Sequence, residues 1–338
     1  MFDRIVGMTW LKGDRLAVAD AGYQNIRIFE VPGQKDPDLV LGRPGQGPGE
    51  FVSIGGIWTL PGDTLAVWDP GTRRVTVFTQ SGELVHSLVV EFDESAANLE
   101  VFHGSFDDGD AILGALSFGE DRAGVVPDRW EVLRVGVSDA SVHPLFTLAG
   151  MRRLDRRPIP FSMMPLVAPS GDRIVTADAP GGEIRVRTGD GNSIETWSIP
   201  RPQTKLARDL QSQLLRRLES EGRQIYRDYI RAGVMPIEGP VPEMSAILAD
   251  DSGRFWVKRW GGVDDSIWFR ENALHPSPGG EWVVLDRDGR FLASVAMPVD
   301  FRPLVIQRDR VAGVAVDALG VQTVAVHRLL VSGSRPRP

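Results

Sequence analysis

Two segments of the chain concentrate basic side chains that could bind an anion. Residues 151–161 contain four arginines and one aspartate, and residues 201–231 contain eight Lys or Arg against four acidic residues. The forked guanidinium group binds a carboxylate or a phosphate through two parallel hydrogen bonds. We therefore expect these segments to recognise an anionic ligand.

A third group of residues adds an aromatic surface. Trp260 follows Lys258 and Arg259 directly, and an aromatic face beside a cation suits a sugar or a planar group. The predicted ligand-binding residues are Arg73, Arg152, Arg153, Arg156, Arg157, Lys258, Arg259 and Trp260. The alternative is that these side chains are solvated, or pair with acidic residues of the protein body and hold a helix in place.

Four aspartates recur at equivalent places in a repeated phrase: Asp20, Asp69, Asp178 and Asp317. If they faced one channel, they could hold a cation or act as acid and base. An Asp after a strand can instead accept backbone N–H bonds from the turn that follows it. We favour this capping role, because it explains the recurrence without any ligand.

The chain is poor in the side chains that hold metals. It contains no Cys, which excludes thiolate nucleophiles, Cys-bound zinc and iron–sulfur clusters, and its five His are spread singly along the sequence. His103 alone lies near the start of a predicted repeat unit, where a side chain could face a channel. We predict no metal, no cofactor and no catalytic residues, and consider an enzyme less well supported than a binding protein.

The elements that would position these residues come from a repeated phrase of Gly-Asp followed by alternating apolar residues. Clear copies are residues 13–20, 62–69 and 171–178, and weaker copies begin near Gly109, Gly253 and Asp309. A Gly-Asp turn followed by period-two alternation predicts a hairpin, and further turns and alternating runs complete a unit of about four strands. Units repeating every 40 to 50 residues or so are typical of propeller blades.

The sequence therefore predicts an all-β fold, a six-bladed β-propeller forming a single domain over residues 1–338. The predicted blades cover residues 4–51, 53–92, 99–150, 162–199, 244–298 and 301–334. Blade 6 has three clear runs, so we expect its fourth strand from residues 330–334 or from a segment preceding Phe2 in a longer chain.

Residues 200–243, between blades 4 and 5, do not show strand alternation. Leu206, Leu210, Leu214 and Leu218 recur at four-residue steps, which predicts an amphipathic helix, with a bend at Gly222. This helical insert links the last strand of one blade to the first strand of the next. The run 152–157 occupies a similar link, so both basic segments are expected on the same rim of the propeller.

Residues 42–51, with the sequence GRPGQGPGEF, lie between the first two predicted blades. No Gly-Lys-Ser/Thr ending follows, so this is not a phosphate-binding loop. Together with the strand pairs 16–20/26–29 and 65–69/75–78, the segment resembles bacterial six-bladed propellers related to NHL-repeat proteins. That resemblance implies a six-bladed fold, often exported or lipid-anchored, in proteins ranging from binding scaffolds to lyases and hydrolases.

The resemblance implies a location in the periplasm or outside the cell, or a lipid-anchored form made as a longer precursor. No signal peptide is visible, and no apolar run is long enough to span a bilayer. We predict a non-catalytic envelope module that binds a small anionic ligand, glycan or peptide at the channel mouth. The alternatives are a metal-dependent hydrolase or lyase at that mouth, or a scaffold that binds a protein partner through the helical insert. The net charge of -7 disfavours nucleic acid.

Overall fold

The structure is a computed structural model. It describes residues 2–33, 36–92, 99–117, 125–154, 157–178, 181–199, 206–237, 239–265 and 276–330. None of the helices in these ranges is long and apolar enough to cross a membrane.

The described strands form six antiparallel sheets. The first contains β1 (Ile5–Leu11), β2 (Arg15–Asp20), β3 (Asn25–Glu30) and β4 (Leu39–Leu41), and the second β5 (Gly56–Leu60), β6 (Thr64–Asp69), β7 (Arg74–Phe78) and β8 (Leu84–Val89). The third contains β9 (Leu99–Ser105), β10 (Ala111–Ser117), β11 (Val125–Val135), β12 (Val142–Leu154) and β13 (Arg157–Pro158). The fourth contains β14 (Leu166–Ser170), β15 (Arg173–Ala177), β16 (Glu183–Thr188) and β17 (Ser193–Ser198). The fifth contains β18 (Met244–Ala249), β19 (Phe255–Arg259), β20 (Gly280–Leu285) and β21 (Phe291–Met297), and the sixth β22 (Phe301–Gln307), β23 (Arg310–Val316) and β24 (Gln322–Arg328).

The sheets close into a ring. The first strands of successive sheets contact one another, and β22 of the last sheet contacts β1 of the first. Apolar side chains pack between neighbouring sheets; at the closure, Val18 packs with Ala312 and Val314. Because each strand alternates its side chains between two faces, one sheet can bury both faces against its two neighbours. The predicted all-β propeller fold is confirmed.

Two helices lie between the fourth and fifth sheets, as predicted. A 3₁₀ turn at Ala207–Leu210 leads into α1 (Gln211–Ser220), and α2 (Gln224–Arg231) follows. Gly222, at φ +69°, lies between the two helices, where the sequence predicts a bend. The apolar face of α1 packs on Phe161, in the link between the third and fourth sheets, and on Val263, in the connection after β19 of the fifth sheet.

The segment 42–51 is a crossover between the first two sheets. Gly42 has φ +78°, and a Cβ there would lie 2.3 Å from the ring of Phe51, which is fully buried. Glu50 accepts the Gly47 N–H at 3.0 Å and pairs with Arg43 at 2.8 Å. These contacts shape a turn, in agreement with the sequence interpretation.

Candidate functional site

The ring of first strands encloses a central channel. We call the end with the first-to-second strand turns, such as residues 12–14, the lower rim, and the end with the second-to-third strand turns, such as residues 21–24, the upper rim. A cavity of about 620 Å³ lies in the channel towards the lower rim. Every sheet contributes a polar side chain to its wall: Thr9, Thr59, His103, Ser170, Asp250 and Gln307.

The charged side chains of the cavity wall are all acidic. Asp107, Asp250 and Asp251 line it, and no Lys or Arg is among the described lining residues. Asp250 is occupied, because Trp256 and Arg254 donate to its Oδ2 at 2.9 Å and 2.6 Å. Asp107 is exposed and has no ion pair or hydrogen bond within the described ranges. It is therefore a carboxylate that could act on a molecule in the channel.

His103 is a partly exposed residue of the cavity wall. The indole N–H of Trp130 donates to its Nε2 at 3.3 Å, and the two rings meet edge to face at 5.7 Å. Burial lowers the pKa of His103 to about 4. The imidazole is therefore neutral at pH 7, and because Nε2 accepts a hydrogen bond, the ring carries its proton on Nδ1.

A hydroxyl pair forms a neighbouring part of the wall, on the first two sheets. The Oγ1 atoms of Thr9 and Thr59 are 3.0 Å apart, and Thr59 also donates to the Trp10 carbonyl at 2.9 Å. Apolar side chains such as Leu248 and Ile306 separate the polar groups. A cavity wall that combines apolar side chains with a few fixed polar groups is typical of small-molecule sites.

A second cavity, of about 840 Å³, adjoins the channel between the third, fourth and fifth sheets. It extends to Arg134 and Arg173, and it shares five lining residues with the channel: Phe106, Asp107, Ser170, Asp250 and Asp251. Arg134 is paired with Asp110 at 2.7 Å and contacts Asp108, so its charge is already compensated. We call this cavity the side groove.

The described residues among those predicted to bind a ligand lie on the upper rim, away from the channel cavity. Arg157 and Trp260 come together at the insert, where the Arg157 guanidinium lies 5.1 Å from the Tyr229 ring and Trp260 meets Phe161 edge to face at 5.9 Å. Both side chains therefore help to dock the helices. This placement matches the alternative interpretation of the basic residues.

Other members of the predicted set are held by acidic partners. Lys258 is only 1% exposed and pairs with Asp265 at 2.9 Å, so it is not presented to solvent. Arg153 donates to Asp128 at 2.7 Å, and Arg259 donates to Glu281 at 3.3 Å. Burial raises the pKa of the Asp128 carboxyl, and Arg153 acts in the opposite direction.

The remaining members are dispersed. Arg73 lies in a turn of the second sheet, 5.4 Å from the Phe92 ring, whereas Arg152 is an exposed residue of β12. Arg156 lies outside the described residues. Of the described members, none lines either cavity. Ligand binding by this set stays a prediction.

The recurring aspartates cap turns. Asp20 is fully buried and accepts backbone N–H bonds from Asp3, Arg4, Gly22 and Tyr23. Asp69 receives the same pattern of four bonds in the second sheet. Asp317 accepts two such bonds, and Asp178 pairs with Arg185 at 3.7 Å. The capping role is therefore confirmed for Asp20, Asp69 and Asp317.

The metal-dependent hydrolase or lyase, the alternative from the sequence, would need a set of metal ligands. In the described ranges, no group of three or more His, Asp or Glu side chains lies close enough together to hold an ion. We therefore derive no chemical step through a metal.

Comparison with known proteins supports the fold. No family model and no curated protein matches the chain. A solved structure of a DUF4221 family member from Bacteroides vulgatus is similar, with TM-score 0.55, 9% identity and coverage of 97% of this chain and 93% of that one. A gluconolactonase from Xanthomonas campestris gives a TM-score of 0.50 at 13% identity, and the alignment covers 93% of this chain and 84% of that one. A virginiamycin B lyase from Staphylococcus aureus gives a TM-score of 0.45 at 9% identity, and the alignment covers 97% of this chain and 85% of that one.

The two similarities with a TM-score of 0.50 or more support a β-propeller fold. The relation to NHL-repeat proteins stays a prediction. Sequence reasoning drew attention to His103 but missed the hydroxyl pair and Asp107, because Thr and Asp at the end of an inner strand have no distinctive local pattern.

Proposed function

We propose that the protein is an enzyme of the hydrolase or lyase class that acts on a small organic molecule in the central channel. The observation that carries this proposal is the cavity of about 620 Å³, into which all six sheets contribute side chains. That volume falls in the range of roughly 300–1,000 Å³ usual for small-molecule sites.

The similar solved structures support this class over a module that only binds. They include proteins described as a gluconolactonase and a virginiamycin B lyase. At about one-tenth identity the similarity extends to the fold alone, so the activity of this chain is a proposal. The catalytic alternative nevertheless fits these neighbours better than the non-catalytic role predicted from the sequence.

His103 and Asp107 are the proposed catalytic residues. The neutral His103 ring, with its proton on Nδ1, donates a hydrogen bond to a substrate oxygen that gains negative charge during the reaction. Such donors act strongly in an environment of low dielectric constant. Asp107 accepts a proton from the attacking water of a hydrolase, or from the substrate carbon of a lyase.

An assay of lactone hydrolysis tests the proposal directly. The purified protein is incubated with a panel of lactones that includes glucono-1,5-lactone, and with a cyclic depsipeptide, with and without added Mg²⁺ or Ca²⁺. Acid release is followed with a pH indicator, and peptide opening by mass spectrometry. Turnover above the buffer rate supports the proposal, and no turnover on any substrate under either condition overturns it.

Variants locate the activity. We expect His103→Phe and Asp107→Asn each to lower the rate by about 10²-fold or more, as for loss of one hydrogen-bond donor or base. Asp172→Asn is the matched control, because Asp172 lines the side groove but not the channel cavity. If all three variants keep the wild-type rate, the channel is not the active site.

Location in the cell envelope belongs to the same proposal. It is supported by the segment 42–51, which resembles exported propellers. Fractionation of the source organism, with an antibody against the protein, checks it: recovery with the cytoplasmic fraction would contradict envelope location.

A further inference from the structure

A β-bulge in the first strand of the third sheet sets the direction of the His103 side chain. The pairing of β9 with β10 shifts register between Ile112 and Leu113, and His103 is the residue left without an opposite partner. An extra residue of this kind bends a strand and turns a side chain out of the regular alternation, and bulges recur beside active sites. The backbone therefore aims this imidazole, which lines the channel cavity.

Gly104, the next residue, makes the bulge possible. Its φ of +137° is a conformation that residues with a side chain rarely adopt. A Cβ there would also lie 2.9 Å from Cγ of Pro169, in the first strand of the fourth sheet. Both observations explain why a glycine follows His103.

Trp130, on β11, fixes which ring nitrogen of His103 carries the proton. The indole is 1% exposed, and its N–H donates to Nε2 of His103 at 3.3 Å. An indole N–H can donate a hydrogen bond but cannot accept one. The nitrogen that faces it must therefore be unprotonated, because a proton on Nε2 would place two donors against each other.

Gly114, on β10, provides the space for this contact. A Cβ at this position would lie 2.3 Å from Nε1 of Trp130 and 2.5 Å from Nε2 of His103. Its φ is not positive, so the requirement for glycine comes from space and not from backbone conformation. Any side chain here would separate the indole from the imidazole.

We propose that Trp130 is a positioning residue that holds His103 in the Nδ1–H form, so that the ring can donate a hydrogen bond in the channel but cannot accept a proton there. The lone pair of Nε2 is already engaged by Trp130. The proton acceptor of the reaction is then Asp107 and not His103. The effect on the reaction rate rests on the proposed function, whereas the effect on the His103 tautomer does not.

Nuclear magnetic resonance of isotopically labelled histidine side chains tests the tautomer. The chain has five His, and the signals of His103 are those that disappear in His103→Gln. In the wild-type protein at neutral pH we expect a protonated Nδ1 and an unprotonated Nε2. In Trp130→Phe, which keeps a buried ring but lacks the N–H, the two signals should shift towards the average of the two tautomers.

Two control variants separate this effect from general disturbance of the core. Trp282 is fully buried, and its N–H has no hydrogen-bond partner within the described ranges, so Trp282→Phe should leave the His103 signals unchanged. Gly114→Ala should reproduce the effect of Trp130→Phe. Gly7→Ala should not, because a Cβ at Gly7 makes an ordinary contact of 3.4 Å with Ile57. Far-ultraviolet circular dichroism checks that each variant is folded.

The rate on a lactone that the wild type hydrolyses tests the catalytic consequence. We expect Trp130→Phe to lower kcat about tenfold or more and to change KM little, because the hydrogen bond from His103 is needed in the transition state. Trp282→Phe should keep both constants.

Two spectroscopic results would overturn the proposal: a wild-type His103 that carries its proton on Nε2, or a tautomer that Trp130→Phe leaves unchanged. A changed tautomer with an unchanged kcat would show that Trp130 does not serve the reaction. If the wild type hydrolyses no lactone, the proposed function fails, and the spectra alone decide whether Trp130 positions His103.

Discussion

Replacing Asp265 by Asn removes the charge partner of a buried lysine. Lys258 is 1% exposed and Asp265 8% exposed, and their Nζ and Oδ1 atoms are 2.9 Å apart. Asp265 also accepts hydrogen bonds from Gly261 N–H at 2.6 Å and Ser245 Oγ at 3.2 Å. Through these bonds Asp265 attaches the connection that follows β19 to the first residues of β18, beside the helical insert.

The expected loss of stability follows from this burial. Breaking a buried ion pair by removing one partner costs about 3–5 kcal/mol, because the other charge stays buried without compensation. Among the described residues, Lys258 keeps dipolar contacts in the variant: the carbonyl oxygens of Ser277 at 3.1 Å and Pro278 at 3.5 Å, and the Ser277 hydroxyl. We therefore expect Asp265→Asn to lower the free energy of unfolding by about 3–5 kcal/mol.

Urea unfolding followed by tryptophan fluorescence measures this change, since the chain has nine Trp and Trp260 is two residues from Lys258 in the sequence. The double variant Lys258→Met/Asp265→Asn is the control. It removes both charges, so its stability should lie closer to wild type than that of Asp265→Asn alone. If Asp265→Asn costs less than about 1 kcal/mol, or the double variant recovers nothing, the buried-charge argument is wrong.

The same pair predicts a pH dependence. Burial alone would raise the pKa of the Asp265 carboxyl, but the Lys258 ammonium and hydrogen bonds from Ser277 and Gly261 lower it below its usual range. Ionised Asp265 therefore stabilises the fold above about pH 4, the pKa of an Asp in the unfolded chain. This stabilisation is lost as the pH falls towards the lower pKa of the folded protein. Asp265→Asn should lack this acid-dependent component.

Two further predictions concern the aspartate caps and His103. Asp20→Ala and Asp69→Ala should each lower the free energy of unfolding by at least about 2 kcal/mol, because each leaves four backbone N–H groups without their acceptor. Asp317→Ala, at an exposed turn with two such bonds, should lower it by about 1 kcal/mol. Urea titrations compare the three, and equal costs would contradict the capping argument. Because burial lowers the folded pKa of His103 to about 4, the wild type should lose up to about 3 kcal/mol as the pH falls from 6.5 to 4. His103→Gln, which can still accept the Trp130 N–H but does not titrate, should lose less stability over this range. An identical loss would argue against a neutral imidazole in the folded protein.

Much of the fold could be predicted from the sequence because its signals are local. Gly-Asp turns and period-two alternation identify strands such as β2 and β6, and four-residue leucine spacing identifies α1. The turn-capping role of Asp20 was predictable for the same reason, since two of its four partners, Gly22 and Tyr23, lie in the turn that it begins.

The candidate site could be predicted only in part, since it depends on contacts between distant residues. Lys258 was interpreted as a rim cation because its partner Asp265 and the Ser277 carbonyl lie in a connection whose path has no periodic pattern. Arg153 was interpreted in the same way, although Asp128, 25 residues earlier, binds its guanidinium. Charge counts along a sequence do not show which charges are already paired.

The repeat by itself determined that this chain builds successive units of about four strands with a helical interruption, because alternation and turn chemistry act within a few residues. Only the closure of the ring decided which side chains surround the channel. Thr9, Thr59 and His103 come from three sheets and meet because the inner strands converge on one axis. The same closure buries the neighbouring faces of the sheets.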